Sequence, residues 1–117
     1  MPPEFRVAIY ENLIDEVGKT GKFQHEYRSG DRSAAGAPDL LIMHTQVESF
    51  KQGSQKQREV TTVAGATTIK TSVLVVTRDG RTVANREVEG KVRFFGENLN
   101  ATNDFAKNVA EMIRLTF

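Results

Sequence analysis

Two segments of the 117-residue chain have apolar residues at the three- and four-residue spacing of an amphipathic helix. One covers residues 4–20 and the other residues 102–116, where Asn100 or Thr102 is a suitable N-cap. We therefore predict one helix near each end of the chain. The predicted apolar positions are Phe5, Ile9, Tyr10, Leu13, Ile14 and Val17 in the first helix, and Phe105, Val109, Met112, Ile113 and Thr116 in the second.

Between these helices the pattern changes to the two-residue alternation of β-strands. Residues 23–28, 40–50 and 59–63 each resemble a strand, whereas residues 29–38 are rich in small and polar residues and indicate a loop. A long hairpin follows. We predict a single α+β domain over residues 1–117, with an antiparallel sheet of about four strands, both helices packed on one face, and the order α-β-β-β-β-α.

The hairpin is centred on Asp79-Gly80, a dipeptide that favours a two-residue turn between strands. Such a turn places Thr77 opposite Thr82, and the rest of the register follows. The predicted pairs are Val75–Ala84, Thr71–Val88, Ile69–Gly90 and Thr67–Val92 on the core side, and Lys70–Glu89 and Ser72–Glu87 on the solvent side, with Arg86 opposite Val73 as a misfit.

Composition excludes several classes of protein. The chain has no cysteine, which removes disulfide scaffolds, thiol nucleophiles and cysteine-based metal sites. Its 16 Lys and Arg residues nearly balance 15 Asp and Glu residues, and this balance is not typical of a dedicated nucleic-acid binder. No apolar run approaches the ~20 residues that cross a bilayer, and the first residues lack the pattern of a signal peptide.

No motif for catalysis, a metal or a cofactor is present. His25 and His44 lack metal-ligand spacing, and no phosphate-binding loop occurs. We therefore predict a protein that is not an enzyme and uses no cofactor. A small-ligand or enzymatic alternative depends on His44 with Glu48, or on Glu87 with Glu89, whose carboxylates share a strand face.

Two local clusters of basic residues suggest binding surfaces. The sequence places Lys91 and Arg93 next to two phenylalanines, which leaves a weak single-stranded nucleic-acid binder as an alternative. The other cluster is the candidate surface for a protein partner or for self-association. Its members are Arg28, Arg32, Lys51, Lys56 and Arg58.

Short motifs between residues 38 and 113 carry a family resemblance. A strand ends in a Phe-x-x-Gly-Ser turn, an arginine follows, and a glycine bend precedes a long hairpin and a helix. These places are held by Phe50, Gly53, Ser54, Arg58 and Gly65. The stretch resembles a family of uncharacterised bacterial envelope lipoprotein domains, known as a domain of unknown function.

The resemblance implies a non-catalytic interaction or assembly domain on the periplasmic side of the cell envelope. It also implies a leader, a lipid-attached cysteine and a strand upstream of the first helix, none of which this chain contains. We therefore expect a shortened or divergent member, with membrane attachment only through an upstream anchor. A cytoplasmic location is the alternative.

Residues 63–65, Val-Ala-Gly, are similar to one inhibitory loop of the cystatins. A cystatin-like protease inhibitor is therefore another alternative. Thr61 stands where that loop has glutamine, and the chain has no tryptophan for the second inhibitory loop.

Overall fold

The structure, a computed structural model, describes residues 1–53, 66–92 and 97–117. The described part is an α+β fold with two helices and a three-stranded antiparallel sheet in the order β1-β2-β3. Both predicted helices are confirmed. The elements are helix α1 (Pro3–Lys19), a short 3₁₀ helix (Arg32–Gly36), strands β1 (Leu41–Lys51), β2 (Thr67–Thr77) and β3 (Thr82–Val92), and helix α2 (Asn100–Thr116).

The prediction of about four strands is only partly matched. Residues 59–63 lie outside the described residues, and residues 23–28 do not form a strand. This segment instead packs against the helices, where Phe23 contacts Phe117 with 5.4 Å between ring centroids. The alternation of residues 23–28 arises from these helix contacts and not from pairing in a sheet.

The β2–β3 register agrees with the predicted hairpin at every predicted pair except the one beside the turn. Thr82 pairs with Val76 and not with Thr77, and Val83 is an extra residue in β3. The Thr77 N–H donates to the Arg81 carbonyl at 2.9 Å, and Gly80 has a φ of 91°, which favours glycine. The turn is therefore longer than two residues, and a bulge at Val83 restores the register.

A second bulge lies in β1. Val47 pairs with Thr71 and Ser49 pairs with Lys70, so Glu48 is the extra residue. Since side chains alternate between the two faces of a strand, the extra residue returns Phe50 to the core face. There Phe50 packs against Phe5 of α1, with 4.9 Å between ring centroids.

One core joins both helices to one face of the sheet. Gly90 of β3 lies against the backbone of Ala101 and against Phe105, so α2 approaches β3 closely only because this position has no side chain. The buried residues of this core are Phe5, Ile9, Leu13, Val17, Ile69, Val73, Val88, Val92, Ala101, Phe105, Ala106, Val109 and Ile113.

Candidate functional site

Helix α2 covers the outer edge of β3 at Glu89 and Lys91. The backbone N–H of Lys91 donates to Asp104 Oδ2 at 2.8 Å, and Asn108 Nδ2 donates to the backbone carbonyl of Glu89 at 2.7 Å. These two side chains take the place of a neighbouring strand at groups that point away from β2. This end of the β3 edge is therefore poorly suited to pair with another chain.

The alternation of backbone hydrogen bonds identifies the outward groups of β1. The backbone groups of Glu89 and Lys91 point away from β2. Because successive residues of a strand point their backbone groups in alternate directions, Gly90 bonds to β2. The same alternation, followed through the register of β2, shows which residues of β1 bond to β2. Residues Ile42, His44 and Gln46 of β1 therefore bond to β2. Along the centre of β1, the residues whose N–H and C=O groups point away from β2 are Met43, Thr45 and Val47.

The outer edge of β1 has no neighbouring strand within the described residues, because the sheet they form ends at β1. The strand is 11 residues long and most of its side chains are exposed. An edge strand of this length presents a row of backbone donors and acceptors to which an extended chain can add. The two edges of the described sheet therefore differ: a helix covers β3 at Glu89 and Lys91, and no described element covers β1 in this way.

A groove of about 600 Å³ lies between α1 and β1. Its α1 wall includes Ile9, Tyr10 and Leu13, and its β1 wall includes Thr45 and Val47. Val47 is 36% exposed although it shares the core face with buried residues of β2. The groove opens beside the outward backbone groups of β1, and apolar side chains of an added strand can enter it.

The other face of the sheet, which we call the open face, carries an array of charged side chains. Lys70 Nζ lies 3.6 Å from Glu87 and 3.5 Å from Glu89, and Lys91 Nζ lies 3.0 Å from Glu89. The hydrogen bond from Lys91 is the main cause that lowers the pKa of Glu89. These pairs are exposed at the surface, so each contributes little to stability on its own.

Glu48 reaches this array from the edge strand. Hydrogen bonding with Glu87, together with desolvation and the nearby negative charge of Glu87, raises the pKa of Glu48. Lys70 has an opposing but smaller effect on the same pKa. Ser72 separates Gln46 from Glu87 in the register, and its short side chain leaves room for the two glutamates to meet.

The basic residues selected from the sequence do not form one surface in the described part of the chain. Arg28 makes a bidentate ion pair with Glu11, at 2.6 and 3.0 Å. Arg32 begins the 3₁₀ helix, whose carbonyl groups accept hydrogen bonds from Arg78 of the β2–β3 turn.

Lys51 ends β1, at the opposite end of that strand from the β2–β3 turn. At ~3.3 Å per residue, this separates it from the region of Arg32 by roughly 30 Å along the strand. Lys56 and Arg58 lie outside the described residues.

The enzymatic alternative depends on two pairs of residues: His44 with Glu48, and Glu87 with Glu89. His44 pairs with Leu74 in the sheet, while the side chain of Glu48 is directed to Glu87. Glu87 and Glu89 flank Lys70 on the open face, with about half and two-fifths of their side chains exposed. Within residues 1–53, 66–92 and 97–117, no group of three or more metal-binding side chains occurs.

The sequence patterns missed the two features that define the site. Asp104 and Asn108 lie outside the apolar positions of the second helix, and the helical pattern does not indicate that they bond to the edge of β3. Their spacing of four residues places them on one side of a helix and was the available signal. For the bulge, the signal was the three-residue step from Val47 to Phe50, because strict alternation cannot put both on one face.

Comparison of the chain with protein families, curated proteins and solved structures finds no match. Neither described helix has the length and apolar character needed to cross a membrane. The residues 63–65 of the cystatin-like motif and the residues 93–95 of the basic and aromatic cluster lie outside the described residues.

Proposed function

We propose that this chain is a non-catalytic interaction or assembly domain that binds an extended segment of a protein partner along β1. The partner segment is added to the sheet as a fourth strand. The observation that carries the proposal is the difference between the two edges: side chains of α2 bond to outward groups of Glu89 and Lys91 in β3, whereas no described side chain bonds to those of Met43, Thr45 and Val47 in β1. Strand addition of this kind is a common mode of peptide recognition.

Two features of the site give the added strand both affinity and specificity. The outward N–H and C=O groups of Met43, Thr45 and Val47 supply main-chain hydrogen bonds, which do not depend on the partner's sequence. The groove beside α1 accepts every second side chain and favours apolar ones, because Ile9 and Leu13 line it. A partner segment with alternating apolar residues therefore fits the site.

Proline substitution at the edge tests this function. Thr45→Pro removes one outward N–H without removing a bond to β2, and an edge strand tolerates proline at such a position. Thr45→Val keeps the N–H and is the matched control. The probe is a fluorescent nine-residue peptide of alternating valine and threonine, titrated by fluorescence anisotropy.

Peptide binding by the wild type and by Thr45→Val, with at least ten-fold weaker binding by Thr45→Pro, supports strand addition at β1. Circular dichroism and thermal unfolding establish that the proline variant is folded. Equal binding by all three proteins, or no binding by the wild type, refutes the proposal.

The proposed setting is the periplasmic side of a bacterial envelope, and it is supported by the resemblance of residues 38–113 to envelope lipoprotein domains. An interaction domain without catalytic groups suits that setting, where assembly through strand addition needs no energy source. Fractionation of the source cells into periplasm, cytoplasm and membranes, with detection by antibody, tests it. Recovery in the cytoplasm alone contradicts the periplasmic setting and leaves strand addition intact.

A further inference from the structure

The charges on the open face indicate the chemistry of the partner segment, and this inference rests on the proposed function. We propose that the segment added to β1 carries a lysine or arginine on the open face, beside Glu48. The same segment presents apolar side chains to the groove on the other face. Such a partner alternates apolar and polar residues and has a basic residue near its middle.

The first argument is the distribution of ion pairs on β2 and β3. Lys70 lies between Glu87 and Glu89, and Lys91 pairs with Glu89. Both described lysines of this array therefore already have carboxylate partners. Glu48, on the β1 side of the array, interacts mainly with another carboxylate, that of Glu87, and more weakly with Lys70. A cation on the outer side of Glu48, where the sheet of the described residues ends, completes the alternation of charge across the sheet.

The second argument is the bulge. The extra residue at Glu48 lets Val47 and Phe50 both face the core while Glu48 and Ser49 face the open side. Glu48 is thus directed to the open face at the strand where a partner would add. Cross-strand neighbours lie about 5 Å apart, which is within reach of a lysine or arginine side chain.

The third argument distinguishes a partner segment from a second copy of this chain. The only lysine or arginine of β1 is Lys51, the last residue of the strand. Pairing two β1 strands adds a second glutamate pair to the interface, so that four carboxylates face only His44 and the terminal Lys51 of each strand. The carboxylates of Glu48 and Glu87 therefore favour a partner with a different sequence.

Three peptides test the inference. Each has nine residues with valine at the groove positions and threonine at the open-face positions, except that the central open-face residue is lysine, glutamine or glutamate. Anisotropy titrations compare their dissociation constants for the wild type, for Glu48→Gln and for Glu89→Gln. Glu89 lies on β3, away from the open edge, so its variant is the matched control.

We expect the lysine peptide to bind the wild type roughly two- to five-fold more tightly than the glutamine peptide, as for other cross-strand charge pairs. The glutamate peptide binds most weakly. For Glu48→Gln, the differences in affinity among the three peptides fall to less than half of those for the wild type. For Glu89→Gln, the lysine peptide still binds most tightly and the glutamate peptide most weakly. High salt reduces the preference in the wild type.

Equal binding of the three peptides by the wild type overturns the charge preference and leaves strand addition standing. The same preference in wild type and Glu48→Gln also overturns it. No binding of any peptide overturns the proposed function itself. Sedimentation of the protein alone as a dimer that Thr45→Pro dissociates shows that a second copy occupies β1, and it overturns the assignment to a separate partner.

Discussion

The ring of Phe50 packs against the ring of Phe5 in an edge-to-face arrangement, with an angle of 67° between their planes. This contact joins the amino-terminal turn of α1 to the far end of β1. It exists because the bulge at Glu48 turns Phe50 to the core face. The bulge therefore explains both the contact of Phe50 with α1 and the position of Glu48 on the open face.

Removing the Phe50 ring is predicted to destabilise the fold. Phe→Ala substitutions in cores cost about 3–5 kcal/mol, and the half-buried Phe50 belongs at or below the lower end of that range. Chemical denaturation of Phe50→Ala measures the loss. Phe50→Leu keeps most of the apolar contact and is expected to lose less than half as much. An effect of Phe50→Ala below 0.5 kcal/mol, a threshold typical of surface substitutions, contradicts this packing.

Gly90 is predicted to tolerate no side chain. A methyl group there meets the carbonyl of Ala101 and the backbone of Phe105, neither of which can move without displacing α2. We expect Gly90→Ala to lower the free energy of unfolding by about 2–3 kcal/mol or more. Gly36→Ala is the control, since a methyl group at Gly36 meets open space and its effect is expected to be small. A neutral Gly90→Ala would show that α2 does not lie against β3.

Two buried threonines on the core face of β2 are predicted to respond in opposite ways to valine. The hydroxyl of Thr71 is buried and has no hydrogen-bond partner among the residues that the structure describes, so Thr71→Val is expected to stabilise the fold by about 1 kcal/mol. The hydroxyl of Thr67 accepts from the Gly53 N–H at 2.9 Å and donates to Asn98 Oδ1 at 3.0 Å. Thr67→Val is therefore expected to destabilise by about 1–3 kcal/mol.

Urea unfolding of both variants checks this pair. A loss of stability in Thr71→Val similar to that in Thr67→Val contradicts the assignment of an unpaired hydroxyl at Thr71.

Two glutamates are predicted to give pH effects of opposite sign. The folded state raises the pKa of Glu48, so it holds that proton more tightly than the unfolded state does. Stability then falls as the pH rises from the ordinary glutamate value, about 4.3, through the raised value. Glu48→Gln removes this penalty, so its melting temperature is expected to exceed that of the wild type at pH 7 and to match it near pH 3.

Glu11 is the matched comparison. The ion pair with Arg28 lowers the pKa of Glu11, so its stabilising effect is present above about pH 4.3 and is lost as the pH falls through the lowered value. Glu11→Gln is therefore expected to melt below the wild type at pH 7 and to match it at low pH. Melting curves at pH 3, 5 and 7 measure both variants. Shifts of the same sign at pH 7 would contradict the assigned environments.

Much of the fold was predictable because its signals are local. The spacing of apolar residues located both helices, and the run around Asp79-Gly80 defined nearly all of the β2–β3 register. The register was wrong only beside the turn, because the Thr77–Arg81 backbone bond favours a longer turn than the dipeptide indicates. Residues 23–28 were misassigned since their partners lie on the helices, far along the chain.

The candidate site was harder to predict because it depends on the relation between distant elements. Nothing local shows that Asp104 and Asn108 meet the backbone of β3, or that Glu48 meets Glu87 across an intervening strand. The basic cluster was chosen from charge alone. Arg28 pairs with Glu11, and Arg32 lies far from Lys51. Of the described members of that cluster, only Lys51 lies on the strand that the proposed function uses.

Amide hydrogen exchange along β1, followed by NMR in the free protein, tests the central claim most directly. We predict that the amides of Met43, Thr45 and Val47 exchange rapidly, whereas those of His44 and Gln46 are protected by β2. Protection of the Lys91 amide by Asp104 serves as the reference for a closed edge. Slow exchange at all five β1 amides in the free monomer would show that the edge is already occupied, and it would contradict the proposed binding site.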